Sequence, residues 1–131
     1  MNRDTILDTL QAGLPGLLSV HAFGSRIRGN AGPDSDLDIA VLVEGYADPL
    51  TLFDLSGALA DLAGCPVDLL DLRAASTVMQ HQVLTTGECW WRKDSRSDLF
   101  EAAMLSEKTE LDRARAGVLA DIRERGSVYG R

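Results

Sequence analysis

Phe23-Gly24-Ser25-Arg26-Ile27-Arg28-Gly29, continuing to Asp34-Ser35-Asp36-Leu37-Asp38-Ile39, is the stretch on which the fold turns. It joins two apolar runs. Residues 17–23 read as a strand that ends directly on Gly24-Ser25, and residues 37–43 as a mostly buried strand whose polar content sits at its start. Between them Gly29, Asn30, Gly32, Pro33 and Asp34 are turn formers, and a short helical turn is expected to begin at Ser25.

The carboxylates give this stretch its chemistry. Asp36 and Asp38 stand two apart at a strand start, so both point to one face, about 7 Å apart along the backbone, while Leu37 turns into the core. Two carboxylates on one face repel unless a cation lies between them, and with one or two Mg²⁺ ions they become ligands. Two metals about 4 Å apart stabilise the attacking and leaving oxygens of an in-line phosphoryl displacement. Asp68 opens a third strand, over residues 67–72, and completes the set if that strand neighbours the one carrying Asp38. Asp71 is the weaker alternative, because its odd spacing from Asp68 puts it on the other sheet face.

The residues upstream suit a triphosphate. Gly24 lets the backbone approach phosphates without a Cβ in the way. Ser25 offers a hydroxyl and an amide at a helix start. Arg26 and Arg28 supply fixed positive charge nearby. Gly-Ser alone is a common turn and Asp-x-Asp alone a common solvated strand start. What separates this pattern from either is the combination, with ten residues between Ser25 and Asp36 and an apolar strand on each side.

Working outward, residues 4–14 place Ile6, Leu7, Leu10 and Leu14 at helical spacing, with Asp4 as the expected cap. Asp48-Pro49 starts a helix that Gly64 and Pro66 close. A helix over about residues 75–86 leads to a short edge strand at residues 88–92. From residue 97 to about 125 the pattern is helical again, with Phe100, Met104, Leu111, Ala114, Val118 and Ile122 on one stripe. The reading is an α+β fold: a small sheet with helices on one face and a helical crossover between the second and third strands. One domain is expected over residues 1–131, with a C-terminal helical extension over about 95–126.

The net charge of −7 argues against direct nucleic-acid binding, which needs a basic stripe. No run is long enough to span a membrane and the N-terminus lacks a signal-peptide core, so a cytoplasmic location is expected. Cys65 and Cys89 have apolar neighbours and no metal-ligand spacing, and read as buried thiols. His21 reads as a strand histidine at the core edge rather than a base. Trp90 and Trp91 are adjacent and in a strand face opposite ways, one toward the core and the other free to stack on a base or partner.

Gly24-Ser25, ten residues, then Asp36-x-Asp38 resembles the signature of the DNA-polymerase-beta-type nucleotidyltransferase superfamily. Phe-Gly-Ser-x-x-x-Gly followed by Pro-x-Ser-Asp-x-Asp is similar to its minimal nucleotidyltransferases. The resemblance covers about residues 4–92. It implies a mixed-sheet palm, Asp36 and Asp38 as metal ligands with Asp68 as third carboxylate, Gly24 and Ser25 on the triphosphate, and ATP as donor. Ile27 stands where a small residue is common, which bears on packing more than on chemistry. Minimal nucleotidyltransferases are commonly paired with HEPN-domain ribonuclease toxins, and some act as antitoxins by transferring AMP to a toxin tyrosine. The resemblance therefore implies a HEPN toxin as partner, docked through the C-terminal helix, whose apolar stripe exceeds what so small a domain can cover. Two alternatives stand beside it: a dimeric enzyme acting on a small molecule such as an antibiotic, and an antitoxin that blocks its partner sterically.

Overall fold

Among the described residues nine elements follow one another: α1 (Arg3–Gly13), β1 (Leu17–Phe23), α2 (Ser25–Arg28), β2 (Leu37–Val43), α3 (Pro49–Ala63), β3 (Val67–Asp71), α4 (Thr77–Thr86), β4 (Glu88–Arg92) and α5 (Ser95–Glu124). The structure, a computed structural model, describes residues 2–29 and 35–124; the side chains of residues 28, 108–109, 111–112 and 115–124 lie outside that description. The strands form one mixed sheet in the order β3-β2-β1-β4. β1 is antiparallel to both β2 and β4, and β2 is parallel to β3. A parallel pair needs a crossover, and α3 supplies it.

The ends of α3 are set locally. The Leu50 amide donates to the Asp48 carboxylate, Pro49 occupies the first helical position, and Gly64 closes the helix with φ 73°. At α1 the cap is Asn2 rather than Asp4: the Thr5 amide donates to the Asn2 side-chain oxygen, and Asp4 falls inside the first turn. A negative charge there still favours the helix start.

Strand alternation divides the core into two clusters, one on each sheet face. Val20, Leu37, Ile39, Val41 and Leu69 pack with Ile6 and Leu10 of α1 and Leu59 of α3. Phe23, Ala40 and Leu42 pack with Val83 of α4 and with Phe100 and Met104 of α5. Helices therefore cover both faces, which corrects the expectation of a single helical face. The physical reason is visible in β1 and β2. Their near-continuous apolar runs are buried on both sides and need a cover on each.

Two smaller expectations also change. Val20 pairs with Trp91 but His21 with Cys89, so Trp90 is the extra residue of a β-bulge. The bulge breaks the alternation, and both tryptophans pack against the α1–α3 cluster. Cys65 is half-buried, whereas Cys89 is exposed because β4 is an edge strand. α5 is anchored by its first turns, where Ser97, Glu101 and Met104 are buried. Of its predicted stripe, Ala114 is exposed, and the side chains of Leu111, Val118 and Ile122 lie outside the described residues. No helix among the described residues is long and apolar enough to cross a membrane.

Candidate active site

β1 ends on Phe23, and the chain turns at Gly24 with φ 85°. Two constraints require glycine there. The left-handed φ disfavours any side chain. A Cβ at this position would also collide with Oδ2 of Asp38 and stand 3.1 Å from its Cγ. The Asp38 carboxylate thus rests directly on the glycine turn, which follows from Phe23 and Asp38 being register partners across β1 and β2.

On the other side of β2, Asp38 is the register partner of Asp68 on β3. Both carboxylates share the sheet face that carries Ala40, Leu42 and Leu70. Asp36 is exposed, one residue before β2 begins, and Leu37 between the two aspartates is fully buried in the opposite cluster. The Leu37 amide donates to the Pro66 carbonyl at 2.9 Å, which sets the two strand starts level. Asp71 does something else. It is buried, and it accepts hydrogen bonds from the amides of Ala47 (2.9 Å) and Arg73 (3.0 Å), tying the β2–α3 loop to the turn after β3.

Among the described residues, no three Asp, Glu, His or Cys side chains are already gathered into a metal cage. The donor set is instead two carboxylates side by side, with a third just upstream. All are hard oxygen donors. That fits Mg²⁺, which keeps several waters and takes one or two carboxylates together with phosphate oxygens.

Ser25 begins α2, and Gly29 ends it with φ 81°, its amide donating to the Ser25 carbonyl. α2 is a single turn of four residues, too short to build up a long helix dipole. Arg26 reaches across the connector: its Nε donates to the Ser35 carbonyl at 2.9 Å. This contact joins the Gly24-Ser25 turn to the segment leading into Asp36. The Arg28 side chain lies outside the described residues.

A buried polar cluster on the same sheet face gives no signal in the sequence. His21 is 2% exposed; its Nε2 lies 3.1 Å from Ser19 Oγ and 3.4 Å from Glu101 Oε1. Arg92 Nη2 donates to both Glu101 oxygens at 2.8 Å. Burial pushes the His21 imidazole below its ordinary value, against the pull of Glu101, with Arg92 adding to the lowering. Glu101 takes its charge partner from Arg92. The cluster fastens α5 to β1 and β4. Ser19 and His21 on β1 lie about seventy residues before Arg92 and Glu101, so no local spacing announces the cluster.

Residues 5–96 match the family described as Polymerase beta, Nucleotidyltransferase. The chain is 34% identical to protein adenylyltransferase MntA of Shewanella oneidensis, across 93% of this chain and 88% of that one. It is similar to a crystal structure of a toxin–antitoxin with AMP-PNP, with TM-score 0.81 and 33% identity, covering 94% of this chain and 99% of that chain. It is also similar to the structure of the tri-AMPylated Shewanella oneidensis HEPN toxin in complex with MNT antitoxin, with TM-score 0.74 and 31% identity over 92% and 95% of the two chains. With the glycine turn seated on Asp38, a second carboxylate in register beside it and this match over most of its length, the chain belongs to the polymerase-beta nucleotidyltransferase family.

Proposed function

We propose that this chain is an antitoxin that transfers AMP from ATP to a tyrosine of a partner HEPN ribonuclease toxin. One observation carries the reading: Asp38 and Asp68 stand in register beside the Gly24 turn, in a chain that aligns with a protein adenylyltransferase over most of both lengths. Asp36, Asp38 and Asp68 would hold Mg²⁺, which when bound offsets the charge of the triphosphate and of the departing pyrophosphate. Gly24 leaves backbone open to the phosphates, and the Ser25 hydroxyl and amide would donate to them. Arg26 would act through the connector and Arg28 by direct charge.

In the transfer, the tyrosine oxygen bonds to the α-phosphorus. The bond from that phosphorus to the bridging oxygen breaks, and pyrophosphate leaves with the electron pair. Asp68, exposed at the strand start, would orient the hydroxyl and take its proton. Docking of the partner along α5 would make the attack effectively intramolecular, a gain of roughly 7–11 kcal/mol in favourable cases. The test is incubation of chain and cognate HEPN protein with Mg²⁺ and labelled ATP, CTP, GTP or UTP, read by mass spectrometry. The expected product is the partner carrying AMP on tyrosine. A fully inhibited but unmodified partner would turn the reading to steric blocking.

A further inference from the structure

We propose that the solvent face of α3 is a second docking surface, which receives an apolar helix flanked by Lys and Arg from the partner toxin. It lies on the sheet side away from Asp38 and Asp68. The choice of partner rests on the function proposed above; the surface itself rests on three observations.

The first is apolar exposure. Tyr46, Leu50 and Phe53 are 70%, 73% and 77% exposed, within one stretch at the start of α3. Leu50 and Phe53 are three apart and so neighbours on the helix surface. Beside Tyr46, at the N-terminal end of α3, a hollow of about 210 Å³ opens between Tyr46, Asp48, Thr51 and Pro15, room for a side chain of another molecule. Aromatic side chains next to a hollow are the usual anchors of protein interfaces.

The second is Gly57. It sits in the middle of a 15-residue helix, where glycine is disfavoured relative to alanine. A Cβ there would meet nothing within 4 Å, so the packing of this chain gives no reason for it. With exposed Ala58 beside it and Phe53 one turn before, it makes a dip next to a knob, a surface that a second helix can approach closely.

The third is charge. α3 carries Asp54 and Asp61, both exposed, and neither Lys nor Arg anywhere along its length. A second copy of the chain packed antiparallel about Gly57 would set Asp54 against Asp61, and packed parallel would set each against itself. Like charges therefore disfavour self-association here. A basic helix is complementary, and a protein that cleaves RNA must carry basic surface to hold its polyanionic substrate.

The experiment measures binding of the full chain to the purified cognate HEPN protein by calorimetry without ATP, alongside melting temperature and sedimentation of each protein alone. Phe53→Glu and Gly57→Leu are each expected to raise Kd at least tenfold. Gly57→Leu should hold or raise the melting temperature while doing so, a combination that a merely structural role for Gly57 would not give. Asp54→Lys with Asp61→Lys should also weaken binding and flatten its salt dependence. At saturating partner the rate of AMP transfer should be unchanged, since the carboxylate face is untouched. Unchanged Kd in all three variants overturns the surface and leaves the function standing. Variants that dissociate a self-dimer while leaving Kd unchanged make a second copy the occupant and overturn the proposal. No binding by the unaltered chain overturns both the proposal and the HEPN reading.

Discussion

Asp38 and Asp68 are register partners on parallel strands, so two carboxylates stand side by side on neighbouring backbones about 4.8 Å apart. Like charges placed this way destabilise a sheet by several tenths of a kcal/mol. The arrangement costs stability in the isolated chain, a cost that the proposed cation and triphosphate would offset. Asp36→Asn and Asp38→Asn are each expected to lower AMP transfer at least about a hundredfold, the scale of losing one electrostatic group from such a site. Neither should lower the melting temperature of the nucleotide-free chain, and Asp38→Asn should raise it slightly. Transfer rate and melting temperature measured on the same preparations decide the matter; full turnover by both variants would remove these carboxylates from the chemistry.

Asp68 and Asp71 separate along the same strand. Asp71→Ala removes the acceptor for two amides, Ala47 and Arg73, at a buried position. Each donor left unsatisfied costs about 1–3 kcal/mol. The expected result is a clear drop in the urea midpoint with turnover per folded molecule preserved. Asp68→Ala, at an exposed position, should do the reverse. Swapped outcomes would place the third carboxylate on the other face of the sheet.

The strand positions and the α3 crossover were legible in the sequence because each depends on local spacing, whereas the side-by-side placement of Asp38 and Asp68 hung on β2 and β3 being neighbours, which spacing left open. Alternation in β2 fixes the faces of Leu37 and Asp38, and the Asp48-Pro49 and Gly64 signals fix α3. What the sequence did not carry depends on events that periodicity cannot encode. Unbroken apolar runs in β1 and β2 leave open whether one face or two are covered, and here both are. A single bulged residue in β4 turned two tryptophans to one side. Arg26 read as a charge for phosphates because the partner of its Nε, the Ser35 carbonyl, lies nine residues on, across a turn-rich connector. The contact of Glu101 with His21 and Arg92 needed the docking of α5, a tertiary event.

That docking gives the chain a pH dependence. Folded His21 titrates below 6.5, mainly through burial. The groups facing it are Ser19 on its own strand, Arg92 and Cys89 on β4, and Glu101 on α5. Between the folded value and 6.5 the unfolded chain binds a proton that the native chain refuses, so stability is fully present above about pH 6.5 and declines as pH falls through that window. Urea midpoints of the unaltered chain across pH 5–8 should show this slope, and His21→Gln should flatten it. Glu101→Gln should steepen it, because the carboxylate is the one influence holding the imidazole up. A slope that His21→Gln leaves unchanged would assign the pH dependence to another group.

Gly24 and Asp38 form a pair whose coupling can be measured. Gly24→Ala meets two penalties, the left-handed φ of 85° and collision with the Asp38 carboxylate. Backbone strain of this kind costs of order 1–3 kcal/mol, and displacement of the carboxylate adds to it. The variant should therefore lose stability and transfer together. Asp38→Ala relieves the collision but not the φ. In a double-mutant cycle the loss of stability from Gly24→Ala should be smaller in the Asp38→Ala background, by roughly 0.5–3 kcal/mol, the range found for residues in contact. Gly24→Ala with Asp38→Asn serves as the control, because the amide keeps the volume of the carboxylate and should keep the coupling. Additive losses in the Asp38→Ala cycle would mean that Gly24 is required for its backbone angle alone, and that the close seat of the carboxylate on the turn is not a constraint the chain feels.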